Sequence, residues 1–152
     1  MLNKIWHRFF IIIDMISAIK EGKIMTEIKM KKKILLIDDE PDVTMVIRSR
    51  LEAAEYDVEV ANSGRQGLEK IESYQPDLVI LDVMMEDLTG YDVCANIKNE
   101  PKSRYLPVIM LTSRIKTIDE VLGYACKADA YIRKPHSGEL LLPEVKRLLN
   151  CA

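Results

Sequence analysis

The chain has 152 residues, 30% of them charged and 48% hydrophobic, with a formal net charge of −2. That suffices for one domain with a sizeable core and is too short for two ordinary ones. The charge is uneven: residues 1–33 hold eight Lys/Arg against three Asp/Glu, and the rest fourteen against twenty-one. An acidic body argues against nucleic acid as a direct partner and leaves room for a basic protein or a metal ion. Cys94, Cys126 and Cys151 are widely spaced and form no CxxC, which indicates neither a zinc site nor a disulfide framework. Reduced thiols in a cytoplasmic protein are the simplest account.

Residues 1–31 read as an N-terminal extension and residues 32–152 as the domain proper. Leu2, Ile5, Trp6, Phe9, Phe10, Ile12, Ile13, Ile16 and Ile19 recur at helical spacing, with Lys4, His7, Asp14 and Glu21 on the other side. The uninterrupted apolar run Phe9–Ile13 is far short of a membrane span and of a signal-peptide core. Such a helix could lie on a membrane surface or pack on a partner. Alternatively the segment lies upstream of the true start, since Met25 and Met30 both precede the first convincing strand. In each case residues 1–30 are expected to add little to the core.

The body alternates strand and helix. Lys33–Ile37 is a short aliphatic run ending in Asp38-Asp39-Glu40. Pro41 suits the first turn of a helix, and Val43, Val46, Ile47, Leu51 and Ala54 follow with helical spacing. Asp57–Ala61 alternates like a strand. Ser63 with Gln66 reads as a capping box for a helix burying Leu68 and Ile71. Leu78–Leu81 is a run suited to a strand buried on both faces, and it stops at Asp82.

An acidic loop closed by Gly90 leads to a helical stripe of Val93, Cys94 and Ile97, ending near Asn99–Pro101. Pro107–Leu111 is a fourth strand that runs into Thr112-Ser113. Thr117 and Glu120 form another capping box, ahead of Val121, Leu122 and Ala125. Ala130–Ile132 is a short fifth strand leading to Lys134-Pro135. A last helix from Ser137 carries Leu141, Val145, Leu148 and Leu149, and Pro143 inside it predicts a late start or a kink. Five strand–helix repeats imply a parallel sheet with right-handed crossovers and helices on both faces.

Polar residues stand at the carboxyl ends of four of these strands: Asp38 and Asp39, Asp82, Thr112, and Lys134. Each alone has an ordinary account. Acids favour helix starts, a Thr often ends a strand, and most lysines are solvated. Their joint placement is what points to chemistry, because strand ends of a parallel sheet face one edge. Three carboxylates gathered there repel unless a cation intervenes, and a hard divalent ion such as Mg²⁺ fits their oxygen ligands. A metal, an ammonium and a hydroxyl around one carboxylate suit phosphoryl transfer, with that carboxylate as nucleophile.

ILLIDDEPD, LVILDVMMEDLTGYDVC, PVIMLTS and ADAYIRKP, over roughly residues 32–150, resemble the receiver domain of two-component response regulators in order and spacing. The resemblance implies a flavodoxin-like (βα)5 α/β fold with strand order 2-1-3-4-5. It implies Asp82 as phosphoacceptor, Asp39 as a direct Mg²⁺ ligand, and Asp38 acting through the ion's water shell. The backbone carbonyl of Met84 would be a further ligand. Thr112 would bond the phosphoryl group, Lys134 would neutralise it, and Tyr131 would turn inward as Thr112 moves. The bond before Pro135 would be cis, as X–Pro bonds can be.

Four departures from the family pattern stand out: Glu86 where Pro is usual, Lys127 where Gly is usual, His136 for Phe, and Met84 with Arg114 flanking the route of an attacking water. The last pair predicts a long-lived phosphoryl state, and Lys127 predicts a strained turn.

The function implied is a stand-alone cytoplasmic switch and not an enzyme. A histidine kinase or phosphotransfer protein would supply the phosphoryl group. The face of the fourth helix, fifth strand and last helix would then signal to a separate effector protein. Two alternatives remain: a docking module that is never phosphorylated, and an aspartate-nucleophile phosphatase. The phosphatase would need a second acid where Met84 stands.

Overall fold

The computed structural model describes residues 30–113, 126–134 and 137–150. The chain divides into two compact units, Met1–Lys31 and Lys32–Ala152, and every element below belongs to the second. They run β1 (Lys33–Ile37), α1 (Pro41–Ala53), β2 (Asp57–Ala61), α2 (Gly64–Tyr74), β3 (Leu78–Asp82), α3 (Gly90–Asn99), β4 (Val108–Thr112), β5 (Ala130–Arg133) and α4 (Ser137–Asn150). The five strands form one sheet in the order β2-β1-β3-β4-β5, with every neighbouring pair parallel. This is the doubly wound, flavodoxin-like order expected from the motifs.

The central strands β1, β3 and β4 are apolar on both faces because both faces are covered. Ile34, Leu36, Leu78 and Ile80 point to one side, where Ile47 and Leu51 of α1 and Leu141 and Val145 of α4 meet them. Leu35, Ile37, Val79 and Leu81 point to the other, against Val93, Cys94 and Ile97 of α3 and the half-buried Leu68 and Ile71 of α2. Alternating side chains along these three strands thus feed two cores, with no polar residue between their first and last positions, whereas the edge strand β2 carries Glu59 at its centre.

Several expectations are corrected. Val46 lies on the outer side of α1, 48% exposed, and Ala54 follows the helix end as its cap. Ser63 Oγ accepts from Gln66 N, but the Gln66 amide oxygen takes the N–H of Asn62, so the box closes one residue early. A reciprocal capping box does form at Thr89 and Asp92, at the head of α3. The last helix does not start late: α4 begins at Ser137 and carries Pro143 inside it, at the loss of one backbone bond. Lys127 has φ 59°, in the left-handed region where a side chain is strained, as the missing glycine predicts.

The expected helix after Thr117, Arg114, the Lys134–Pro135 bond and His136 lie outside the described residues, as do the expected N-terminal helix and Cys151. Among the described residues no helix is long and apolar enough to cross a membrane.

Candidate functional site

β1 and β3 are neighbours from which the chain departs to opposite sides, and ligands of such sheets bind beyond the strand ends at that point. Their register pairs Ile37 with Leu81, so the next residues, Asp38 and Asp82, emerge side by side. Both are buried, at 0% and 2% exposure. Buried carboxylates need partners. Asp38 Oδ1 accepts from Glu40 N at 2.9 Å, and its Oδ2 accepts from Lys134 Nζ at 2.8 Å. Lys134 arrives from the end of β5, where its backbone N–H donates to the Thr112 carbonyl. Its ammonium also lies 3.2 Å from Asp82 Oδ1 and 3.2 Å from Glu40 Oε1.

Burial pushes the Asp82 carboxyl up to about 6, against the pull of Lys134 and with a further push from Asp38. For Lys134, burial works against the charge, but the carboxylates of Asp38 and Asp82 outweigh it and hold the ammonium above the usual lysine value. At neutral pH the ionised Asp82 therefore faces the Lys134 ammonium. The proton leaves Asp82 only a little below neutrality.

The carboxylates that converge are Asp38, Glu40 and Asp82, each with an oxygen within 4.8 Å of the others. Glu40 was not singled out from the sequence. Asp39 stands apart from that group. It is half-buried, and its Oδ2 accepts from Glu86 N at 3.3 Å in the loop after β3. The donor set is all oxygen and strongly acidic, which fits a hard divalent cation.

Thr112 is buried at the end of β4, next to β3, and so faces the same edge. Tyr131 is 39% exposed in β5, with its hydroxyl 3.5 Å from Cys126 Sγ. Met84 sits two residues beyond Asp82 and is 45% exposed. Gly90 closes the loop that follows Asp82. Its N–H donates to the Val83 carbonyl at 2.9 Å. A Cβ there would lie 2.2 Å from the Asp82 carbonyl oxygen, so no side chain fits.

Comparison with known proteins decides the family. The family model described as "Response regulator receiver domain" matches residues 34–146. The chain belongs to the response regulator receiver domain family. It is 38% identical over 121 residues to PhoP of Bacillus subtilis, the alkaline phosphatase synthesis transcriptional regulatory protein, covering 80% of this chain and 50% of that protein. RpaA of Synechocystis sp., a DNA-binding dual master transcriptional regulator, is 36% identical over 118 residues, with 78% and 49% covered.

The chain spans about half the length of these curated relatives. Among solved structures, the receiver domain of a histidine kinase from Syntrophus aciditrophicus matches with TM-score 0.76 at 35% identity, covering 80% of this chain and 92% of that one. TrrA from Thermotoga maritima, in complex with Mg(2+)-BeF, matches with TM-score 0.69 at 32% identity, covering 77% and 98%. The receiver fold and its place in two-component signalling are thereby shown.

Proposed function

We propose that this receiver is a phosphorylation switch with Asp82 as its acceptor. The observation that carries the reading is the buried Asp82 carboxylate beside Asp38, with Lys134 Nζ 3.2 Å from its Oδ1. In this reading a carboxylate oxygen of Asp82 attacks the phosphorus of a phosphohistidine on a kinase or phosphotransfer protein. An O–P bond forms, the P–N bond breaks, and the imidazole leaves with a proton. Asp39 and Asp82, with the Met84 carbonyl and Asp38 in support, would hold a Mg²⁺ ion, which when bound would supply the positive charge that neutralises the phosphoryl oxygens.

Lys134 then turns from Asp38 toward the new charge, and the Thr112 hydroxyl donates to the phosphoryl group. Tyr131, exposed on β5, follows Thr112 inward and reshapes the face of β5 and α4. That is a local charge change biasing a two-state element. The output is a protein contact of this face, since the acidic body does not suit direct binding of nucleic acid. The chain's own chemistry is confined to gaining and losing its phosphoryl group.

The test is incubation with acetyl phosphate, with and without Mg²⁺, beside an Asp82→Asn form. One stable, Mg²⁺-dependent phosphoryl group on the wild type alone supports the switch. No label supports a docking module, and sustained turnover of many phosphate esters supports a phosphatase. Met84 at the rim of the site supports a slow loss of label, and rapid loss from the purified phosphoprotein would remove that part of the reading.

A further inference from the structure

The loop from Val83 to Thr89 carries the residues that follow the acceptor, and it leaves and rejoins the body at almost one point. Gly90 N–H bonds the Val83 carbonyl, which closes its base. The apex, Met84 to Asp87, has no strand or helix of its own. Met85 and Leu88 rest half-buried against the core, which gives footing but no direction. Direction comes from Asp87. Its Oδ1 accepts from Gly64 N and its Oδ2 from Arg65 N, each at 2.9 Å.

Those two N–H groups open helix α2, and a helix start leaves its first donors without intrahelical partners. Here the accounting closes. Gly64 and Arg65 give theirs to Asp87, Gln66 gives its N–H to Ser63 Oγ, and Gly67 gives its N–H to the Ser63 carbonyl. Gly64 also allows the close seat, because a Cβ there would lie 2.8 Å from Leu88 Cβ and from Val93 Cγ2. The chain thus spends the head of one helix on holding the acceptor loop of the next strand.

What the clasp holds matters for the site. One residue before Asp87, the backbone N–H of Glu86 reaches Asp39 Oδ2 at 3.3 Å. Three residues before it stands Met84. The Glu86 N–H that meets Asp39, next to the acidic group, therefore depends on where Asp87 sets the apex.

We propose that Asp87 is a positioning residue for phosphoryl acceptance: its two-pronged clasp on the head of α2 fixes the Val83–Thr89 loop so that its backbone meets the cation site. The proposal rests on the reading of Asp82 as an acceptor that needs a divalent ion. Asp87 touches neither the ion nor the reacting atoms.

The full chain is titrated calorimetrically with Mg²⁺ as wild type, Asp87→Ala, Asp87→Asn and Thr89→Ala. The Thr89 form removes a cap at the base of the same loop and leaves the apex clasped. Removing Asp87 weakens Mg²⁺ binding by about tenfold, the scale on which groups behind a ligand act. Asparagine, which keeps one acceptor, loses less, and Thr89→Ala loses stability but little affinity. Hydrogen exchange at Gly64 and Arg65 speeds up in Asp87→Ala, less in Asp87→Asn, and stays unchanged in Thr89→Ala.

Phosphorylation of Asp87→Ala recovers toward the wild-type rate when Mg²⁺ is raised to saturation. Unchanged Mg²⁺ affinity in Asp87→Ala, or an equal loss in Thr89→Ala, overturns the proposal. Absence of label on wild-type Asp82, with Mg²⁺ affinity still dependent on Asp87, overturns the acceptor reading and leaves the clasp.

Discussion

Lys134 Nζ donates to Asp38 Oδ2 across 2.8 Å and so ties the end of β5 to the end of β1 over the top of the acceptor. Asp38 is fully buried and the lysine side chain is only 13% exposed, so neither charge has water to fall back on. Removing one partner of such a pair leaves an uncompensated buried charge. Lys134→Ala is expected to lose about 3 kcal/mol of stability in metal-free buffer. Millimolar Mg²⁺ should restore part of that loss, by supplying the missing positive charge. Urea unfolding with and without Mg²⁺ checks both statements. Glu40 meets the same ammonium from an exposed position, so Glu40→Gln should cost about 0.5 kcal/mol or less.

The acceptor should titrate where few carboxylates do. Burial first, then Asp38, raises Asp82 to about 6 from an ordinary 3.8, although Lys134 pulls it down. The sign follows from the proton. Stability contributed by the protonated form is complete below the unfolded value and is lost as pH rises through about 6. The ionised form is the nucleophile, so labelling at low Mg²⁺ rises over the same window. A bound cation favours the ionised form and should move that midpoint to lower pH. Labelling rates from a small donor between weakly acid and neutral pH, at low and high Mg²⁺, measure the shift.

Gly90 has no room for a side chain. A Cβ 2.2 Å from the Asp82 carbonyl oxygen must push backbone against backbone, and the backbone it moves is that of the acceptor. Gly90→Ala should therefore lose about 1–3 kcal/mol and most of its phosphorylation together. Thermal unfolding and labelling of the purified variant are the measurements.

Lys127 stands at φ 59° in the turn before β5. Glycine adopts that conformation without a steric penalty. Lys127→Gly should gain about 1 kcal/mol, seen as a higher unfolding midpoint with the acceptor's labelling rate unchanged.

These residues divide into those the sequence exposes and those it hides. The three central strands were readable because each is buried on both faces and so writes an unbroken apolar run, while the edge strand β2 shows as the alternation Asp57–Ala61. The first polar residue after each of those runs marks its end, which is how Asp38, Asp82 and Thr112 could be assigned to one edge, and Lys134 follows Arg133 at the end of the short β5. Strand order came from the motifs, and the register of Ile37 with Leu81 then puts Asp38 beside Asp82.

Glu40 was missed because its role depends on how α1 starts: the turn at Pro41 leaves its side chain reaching Lys134 from outside the strand pattern. Asp87 was missed because its partners lie 22 and 23 residues earlier, and a loop acid has no periodicity to betray it. The Thr89–Asp92 box carries a visible signal, a Thr followed three residues on by an acid, but Gly90 between them also reads as a loop's end and masks it. Pro143 pointed to a late start that the helix does not make. A proline inside a helix removes one donor, and the apolar face of Leu141, Val145, Leu148 and Leu149 outweighs that loss.

The central claim is that the buried carboxylate of Asp82 takes up the phosphoryl group. Its most direct measurement is site mapping: the full chain is phosphorylated with acetyl phosphate and Mg²⁺, the acyl phosphate is trapped by borohydride reduction, and the modified residue is read by peptide mass spectrometry. The account predicts modification at Asp82, absent without Mg²⁺. Modification at another residue with Asp82 intact, or none under conditions in which the chain demonstrably binds Mg²⁺, would contradict it.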